Sequence, residues 1–212
     1  MLNANFGNIT AHGQVYLAPN MPPSDLFWID PRGHENFWCS VQGDTSGSSS
    51  SPRTECRETL SDSSISYNWS LGNQLHVMSG AVRVELAPSS GKVIVGQVHA
   101  SGADNPFLMV TWWNGVARID IRLHPDDNAF KILYVPCKLG EIFDYSISID
   151  TKRLVKLSLS GKTYAAVVDK AWDQFPFYFK RGAYVIDHDG PVTEGGWVVY
   201  SQSAVSHTPE NN

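Results

Sequence analysis

Apolar and polar residues alternate along much of the chain from residue 53 onward. This alternation restricts the chain to folds that are built mainly from β-strands. In the segment 143–149, large apolar residues at odd positions alternate with Asp or Ser, and the segments 154–160 and 117–123 follow the same pattern. Successive side chains of a strand point to opposite faces of a sheet. Each segment therefore predicts a strand with one buried face.

Turn signals separate the predicted strands. Asn114 and Gly115 lie between two apolar segments, and both residue types accept the positive φ angles of a two-residue hairpin turn. Helical patterning is confined to the segments 169–175 and 24–29. Many short strands with frequent turns predict an all-β sandwich or barrel.

Length and charge restrict the protein further. The 212 residues are expected to form one domain, 1–212, because all-β sandwiches of this length commonly do not divide. The Ser-rich segment 43–52 runs straight into a predicted strand, which indicates a loop rather than a linker. A formal net charge of −5 argues against a nucleic-acid-binding protein. No apolar segment is long enough to span a bilayer, so no membrane partner is expected.

The three cysteines are Cys39, Cys56 and Cys137, and they form no C-x-x-C pair. Both a Cys39–Cys56 disulfide across the loop 43–52 and free thiols stay open. The histidines show no metal-ligand spacing, so neither a metal nor another cofactor is expected. The chain contains no recognisable signal segment. Glycosylation-type triplets at residues 8–10 and 68–70 favour a secreted or periplasmic location.

Three short segments carry chemically capable side chains at every second position. If these segments are strands, the side chains that share one face are Arg53, Glu55 and Arg57 in the first, Gln97 and His99 in the second, and Tyr178, Lys180, Gly182 and Tyr184 in the third. Each segment alone is more typical of an exposed polar strand face. Together around one groove, cations, an imidazole and a phenol suit proton transfer on an anionic substrate.

The three segments together resemble the signature segments of the alginate lyases of polysaccharide lyase family 7. That family's pattern reads R-[ST]-E-x-R, Q-[IV]-H and Y-F-K-x-G-x-Y, and this chain has RTECR, QVH and YFKRGAY at 53–57, 97–99 and 178–184. The resemblance extends loosely from about residue 37 to the end. It implies a β-jelly roll sandwich of two antiparallel sheets, whose concave sheet forms the substrate groove.

The resemblance also implies an activity and roles for particular residues. The protein is expected to be an alginate lyase, which cleaves 4-linked uronate chains by β-elimination and leaves unsaturated uronate ends. Arg53 and Gln97 are implied to neutralise the substrate carboxylate, with His99 close by. Tyr184 is implied to be both base and acid in syn elimination from mannuronate, whereas His99 is the base in anti elimination from guluronate. The implied substrate-binding residues are Glu55, Arg57, Tyr178 and Lys180.

Glu55 is expected to orient the two arginines that flank it, rather than to transfer a proton. The partner implied by the resemblance is an anionic polysaccharide, bound by a monomer. Two alternatives stay open, which are a lyase for another polyuronate such as glucuronan and a non-catalytic carbohydrate-binding jelly roll. Binding alone does not call for a His and a Tyr beside paired arginines, and this favours the lyase.

Four features depart from the family's pattern or distinguish members within it. Arg181 stands where a small residue is usual, and it needs an acidic partner or an exit at a sheet edge. Cys56 replaces an aliphatic residue and is expected to face the core. The family's Asn-Gln after the last tyrosine is absent, since 185–187 reads Val-Ile-Asp. Val98 favours mannuronate-rich substrate, although one methylene on the opposite face can hardly decide the preference.

Other side chains near the predicted site are assigned by parity. Trp112 and Trp113 are expected on opposite faces of their strand, so at most one can stack on a sugar. Arg118 and Arg122 are expected on a solvated face. The loops 43–52 and 187–196 are expected to close over a bound chain.

Overall fold

The structure is a computed structural model that describes residues 4–11, 13–17, 22, 25–45, 49–60, 63–128 and 131–210, the side chain of Lys131 excepted. Within these residues the chain forms fifteen strands and one 3-10 helix, Lys170–Gln174. The strands are β1 (Ala4–Ala11), β2 (Gln14–Tyr16), β3 (Phe27–Ile29), β4 (Glu35–Ser40), β5 (Arg53–Leu60), β6 (Leu75–Leu86), β7 (Lys92–Ala100), β8 (Leu108–Trp113), β9 (Val116–Ile121), β10 (Lys131–Pro136), β11 (Phe143–Ile149), β12 (Leu154–Leu159), β13 (Lys162–Val167), β14 (Phe177–Val185) and β15 (Gly195–Thr208).

Antiparallel pairing arranges these strands in two sheets. The first has the order β10-β9-β8-β7-β14-β5-β1-β2, and the second has the order β13-β12-β11-β6-β15-β4-β3. Buried side chains of both sheets meet in one apolar core, to which Phe37, Phe107 and Ile119 belong. The predicted jelly-roll sandwich of two antiparallel sheets is confirmed. That 1–212 forms one domain stays a prediction.

The local sequence signals are confirmed where they were strongest. β11 has the bounds predicted from its alternation, and its buried residues alternate with more exposed ones. At the β8–β9 turn, Asn114 has φ 47° and Gly115 has φ 83°, as a two-residue hairpin of this type requires. The 3-10 helix lies inside the predicted segment 169–175, and Asp169 caps it by accepting a hydrogen bond from the Ala171 N–H at 2.8 Å.

The helix predicted over 24–29 is wrong where the structure describes it. Phe27 to Ile29 form the edge strand β3, which pairs with β4. Phe27 is buried against Phe37, with 4.9 Å between the ring centroids. The tertiary contact therefore overrides the weak helical pattern. No helix in the described part of the chain is long and apolar enough to cross a membrane.

The cysteine alternatives are resolved in favour of free thiols. Cys39, Cys56 and Cys137 are all buried and unbridged. Cys56 faces the core as predicted, and burial raises its pKa to about 12, which keeps it a neutral thiol. It packs there as a small apolar residue.

Arg181 has the acidic partner that its position in the core requires. It points from β14 between the sheets, where its Nη2 donates to Glu35 Oε1 at 2.6 Å and its Nη1 donates to Glu35 Oε2. The guanidinium also lies 4.5 Å from the ring centroid of Phe6 and 5.4 Å from that of Tyr200. Since Glu35 belongs to β4, this pair joins the two sheets.

Removing Glu35 should therefore destabilise the fold. Glu35→Ala leaves a buried guanidinium without its carboxylate, and we expect the free energy of unfolding to fall by about 3 kcal/mol, the lower end for a broken buried pair because Glu35 is partly exposed. The double variant Glu35→Ala/Arg181→Met should recover most of this loss. Urea unfolding of the three proteins tests the expectation, and a single variant within 0.5 kcal/mol of wild type would contradict it.

Candidate active site

The strand order brings the three signature segments together. β14 lies between β7 and β5 in the first sheet, so it pairs with both. The cross-strand rows that result are Tyr178–His99, Arg57–Lys180–Gln97 and Arg53–Tyr184–Ile94. Side chains that stand opposite one another on one face of a sheet lie about 5 Å apart. The eight predicted site residues therefore occupy one patch of the same sheet face.

Gly182 is required where β14 bends through this patch. Its φ is +147°, and the β14–β7 register shifts between Arg181 and Tyr184. A Cβ atom on Gly182 would lie 2.3 Å from the Thr54 carbonyl oxygen. Only glycine fits so close to β5, and the close approach lets Tyr184 stand opposite Arg53.

Glu55 lies at the centre of the patch, beneath the groove, and only 1% of it is exposed. Its carboxylate accepts hydrogen bonds from Gln97 Nε2 at 2.5 Å, Lys180 Nζ at 3.1 Å and Arg53 Nη1 at 3.2 Å. Burial alone would raise the pKa of Glu55, but the Lys180 and Arg53 cations hold it below its ordinary value. Glu55 is therefore an ionised carboxylate that fixes one donor from each of the three strands.

The prediction that Glu55 orients both flanking arginines is correct for Arg53 and wrong for Arg57. Arg57 Nη2 instead donates to Asn68 Oδ1 at 2.6 Å. Glu55 stands opposite Gly182, which has no side chain, and this leaves room for Lys180 and Gln97 to reach the carboxylate diagonally across the sheet. They occupy the place expected for Arg57.

His99 is held as a neutral imidazole. Its ring stacks on Tyr178, with 5.0 Å between the centroids and 16° between the planes, and the Arg57 guanidinium lies 3.5 Å from the centroid of Tyr178. Burial and the nearby Lys180 cation lower the pKa of His99 to about 4. Among the described residues, no group forms a hydrogen bond with its Nδ1. The ring is therefore unprotonated at neutral pH.

Tyr178 and Tyr184 have different surroundings. Burial raises the pKa of Tyr178, which keeps it a neutral phenol. Tyr184 instead lies under the Arg53 guanidinium, with 3.9 Å from the guanidinium carbon to the ring centroid. Ser49 Oγ accepts from Arg53 Nη2 and lies 3.4 Å from Tyr184 Oη. The Arg53 guanidinium therefore makes a cation–π contact with the Tyr184 ring.

The patch opens into a groove of about 710 Å³. Six of the eight predicted residues line it, namely Arg53, Gln97, His99, Tyr178, Lys180 and Tyr184. Lys92 and Arg122 add two further cations, and Asp104 is an acidic residue of the lining. A groove with this excess of cations attracts a polyanion even though the chain as a whole is negative.

Comparison with known proteins agrees with this geometry. A family profile described as alginate lyase matches residues 19–207. The chain belongs to the alginate lyase family. It is therefore a polysaccharide lyase. A search of curated proteins with this sequence found no match.

Solved structures resemble this lyase over nearly its whole length. An alginate lyase from Pseudomonas aeruginosa is 28% identical, with a TM-score of 0.84 over 96% of this chain and 98% of that one. A substrate complex of alginate lyase A1-II′ is 25% identical, with a TM-score of 0.84 over 99% of this chain and 94% of that one. Another structure of A1-II′, described as a member of polysaccharide lyase family 7, is 24% identical with the same TM-score over 98% and 96%, and shows the fold alone.

The expectation that Arg122 lies on a solvated face is wrong. In the lyase only 7% of Arg122 is exposed, and its guanidinium donates to the Pro106 and Asp127 carbonyl oxygens at 2.8 and 2.9 Å. β9 ends one residue earlier, and the neighbouring loops fold around the side chain. Arg118 is half-buried and pairs with Asp120 at 2.7 Å.

Parity could not have found Lys92. Counting back by twos from Gln97 places residues 93 and 95 on the groove face, but Val93 and Val95 are buried in the core. A register shift between Ile94 and Gly96 reverses the alternation, so Lys92 and Ile94 line the groove instead. Ser49 had no signal at all, because it lies in a Ser-rich loop without a pattern.

The tryptophans follow the predicted alternation. Trp112 is buried in the core and donates to the Cys137 carbonyl oxygen at 2.8 Å, whereas 41% of Trp113 is exposed. Of the loop 43–52, residues 46–48 lie outside the described residues. Closure of this loop and of 187–196 over a substrate stays a prediction.

The lowered pKa of His99 predicts how the free energy of unfolding depends on pH. Between pH 6.5, its ordinary pKa, and about 4, the unfolded chain binds a proton that folded His99 does not. Acidification through this window should therefore lower the free energy of unfolding, and stability should be fully recovered above pH 6.5. Urea unfolding across this range should show a shallower decline for His99→Gln. An NMR titration of His99 with a pKa near 6.5 would contradict the assignment.

Proposed function

We propose that this lyase binds alginate in the groove and cleaves it by β-elimination, leaving an unsaturated uronate end. The observation that carries the proposal is the convergence of Arg53, Gln97, His99 and Tyr184 on one groove. Elimination removes the C5 proton of a uronate, which is a poor acid because the adjacent carboxylate is already ionised. Groups that neutralise the carboxylate lower this barrier, since they stabilise the charge that develops on it.

Arg53 and Gln97 supply that neutralisation. Glu55 orients both side chains, and each retains N–H groups that these bonds do not use. An arginine and an amide held at fixed positions can bind a carboxylate without reorganising during the reaction. Lys180 adds positive charge at the same point of the groove.

His99 and Tyr184 carry the proton transfers. A neutral imidazole is a competent base at neutral pH, and the low pKa of His99 keeps it in that form. In anti elimination from guluronate, His99 takes the C5 proton and Tyr184 gives one to the departing O4. In syn elimination from mannuronate, Tyr184 beside the Arg53 guanidinium acts as a phenolate, which takes the C5 proton. The phenol that results gives this proton to the departing O4 and returns to the phenolate.

Relatives support alginate as the ligand. One structure of alginate lyase A1-II′, with a His→Asn and a Tyr→Phe substitution, holds a substrate written GGMG. Another, with the Tyr→Phe substitution alone, holds a product written GGG. The substituted residues are of the two types to which we assign proton transfer here. This favours alginate over another polyuronate such as glucuronan.

We further propose a modest preference for mannuronate-rich chains. Its support is the Gln-Val-His segment, although Val98 is fully buried on the opposite face and cannot touch the substrate. Digestion of mannuronate-rich, guluronate-rich and mixed blocks side by side tests this preference. We also propose that the protein is a monomer, since one chain supplies all the predicted site residues. We propose a secreted or periplasmic location, which the glycosylation-type triplets at residues 8–10 and 68–70 favour. Light scattering and cell fractionation test these two points.

Tyr184→Phe should abolish turnover and leave alginate binding within about 2-fold of wild type. The variant keeps the ring under Arg53 but has no proton to exchange, so we expect turnover to fall at least ~100-fold. Ultraviolet absorbance of the unsaturated ends measures turnover, and calorimetry measures binding. Tyr134→Phe is the matched control, because Tyr134 is exposed and does not line the groove. A wild-type protein that binds alginate but releases no unsaturated ends would refute the proposed function.

Arg53→Ala should weaken both binding and turnover. Losing a charged hydrogen-bond donor to the substrate carboxylate should reduce kcat/KM by about 10- to 100-fold. The affinity of wild type should fall with added salt, and that of the variant should fall less steeply. Arg83→Ala, which removes an arginine paired with Glu85 in the second sheet, is the control. Unchanged kinetics in Arg53→Ala would exclude its assigned role.

A further inference from the structure

A second cluster of ionisable side chains lies beneath the groove, and the proposed reaction does not use it. Glu58, His76 and His207 are each at most 1% exposed. Glu58 follows Arg57 in β5, and its side chain points away from the groove into the space between the sheets. His76 in β6 and His207 in β15 stand opposite each other in the second sheet. A carboxyl group in an apolar core needs a specific reason, because its burial is costly.

The cluster forms a continuous chain of hydrogen bonds from one sheet to the other. Glu58 Oε2 accepts from Trp69 Nε1 at 3.1 Å and from the Phe179 N–H at 3.0 Å. Glu58 Oε1 bonds to His207 Nε2, and the Nδ1 atoms of His207 and His76 lie 2.7 Å apart. His76 Nε2 is 3.2 Å from the Ser70 carbonyl oxygen.

Counting protons assigns the direction of every bond in this chain. A carbonyl oxygen only accepts, so His76 must carry its proton on Nε2, and its Nδ1 is then an acceptor. His207 Nδ1 therefore donates to His76. One proton is left to be shared between His207 Nε2 and Glu58 Oε1. Whether this pair is an imidazolium with a carboxylate or an imidazole with an acid, the cluster has no net charge.

A further proton has no place in the cluster. It would add an N–H to His76 Nδ1, where the N–H of His207 already points. In agreement, burial and His207 lower the pKa of His76 to about 3. The bonded arrangement is therefore the stable one over the whole neutral range.

The cluster contacts the backbone next to three groups of groove side chains, which we call the groove floor. The Phe179 N–H that bonds to Glu58 lies between Tyr178, which stacks on His99, and Lys180, which bonds to Glu55. Trp69, the other donor to Glu58, follows Asn68, whose side chain accepts the hydrogen bond of Arg57. Glu58 itself follows Arg57. The cluster thus connects Phe179, Trp69 and Glu58, the residues next to the groove side chains, to the second sheet.

We propose that Glu58 is a positioning residue of this lyase, which with His207 and His76 anchors the backbone under Arg57, Tyr178 and Lys180. It touches no substrate and exchanges no proton during turnover. Its effect passes through the Phe179 amide and the 68–69 segment. This inference rests on the proposed function, since it concerns how the groove floor of the lyase is held.

Two substitutions of Glu58 separate its hydrogen bonds from its charge. In Glu58→Gln the amide oxygen still accepts from Trp69 and Phe179, and the amide NH2 donates to a neutral His207, so every bond and the zero net charge persist. Glu58→Leu has nearly the same volume and makes none of these bonds. Trp112→Phe is the control, because Trp112 is also buried, donates a buried hydrogen bond to the Cys137 carbonyl oxygen at 2.8 Å and does not line the groove.

We expect Glu58→Gln to keep kcat within about 3-fold of wild type and to keep its pH profile. Glu58→Leu should lose at least ~10-fold in kcat and raise KM, because the anchored residues include those assigned to substrate binding, measured on alginate at a temperature where circular dichroism shows folded protein. Trp112→Phe should lower the melting temperature and leave kcat unchanged. If Glu58→Leu does not fold, Trp69→Phe, which removes one donor and keeps an aromatic ring in its place, should lower kcat at least ~5-fold.

Several outcomes would overturn the inference. Full kcat in Glu58→Leu, or in Trp69→Phe where the former does not fold, would show that the floor needs no anchor. Equal losses of kcat in Glu58→Leu and Trp112→Phe would show a general effect of destabilisation. A shifted pH profile in Glu58→Gln would mean that the shared proton takes part in turnover. A wild-type protein inactive on alginate would refute the proposed function and is distinct from all three.

Discussion

The site depends on one buried carboxylate. Glu55 lies where β5, β14 and β7 meet, and it binds Arg53, Lys180 and Gln97, one or more donors from each strand. A carboxylate in this position is stable only because cations surround it, and the cations are held in place only because the carboxylate is there. Removing either side would leave buried charge unpaired. This mutual dependence presents a fixed arginine and a fixed amide to the groove before any substrate arrives, which is the preorganisation that charge stabilisation requires.

Charged groups also join the two sheets beneath this site. The Arg181–Glu35 pair links β14 to β4, and the Glu58–His207 bond links β5 to β15. Apolar side chains of similar volume often replace such buried pairs at little cost in stability, so we assign the value of these pairs to specificity of position. Both ties attach to the strands that carry the catalytic groups. The sandwich therefore has two buried polar connections between its sheets behind the groove, and apolar packing surrounds both.

Much of this arrangement could be predicted from local patterns. The alternation of side chains indicated the strands, and Asn114-Gly115 indicated a hairpin, because both depend only on residues close together in the chain. The family resemblance of three segments indicated the jelly roll and the groove residues. Parity placed His99 and Tyr184 on the correct faces, since β7 is regular from Gln97 to Ala100 and β14 keeps a continuous register with β5 from Lys180 to Tyr184. The weak helical pattern before β4 failed because burial of Phe27 against Phe37 outweighs a short local preference.

Pairing across strands and between sheets is a different kind of information. That Lys180 reaches Glu55 depends on the pairing of β14 with β5, which sets the side-chain-free Gly182 opposite Glu55, and that Lys92 reaches the groove follows from a bulge in β7. The partner of Arg181 comes from a strand about 146 residues away, and no local pattern names it. The amino acids by themselves settle which side chains are capable of the chemistry and which face of a strand they share. Only the folded chain settles which of them touch, because those contacts depend on registers and crossings set by the whole core.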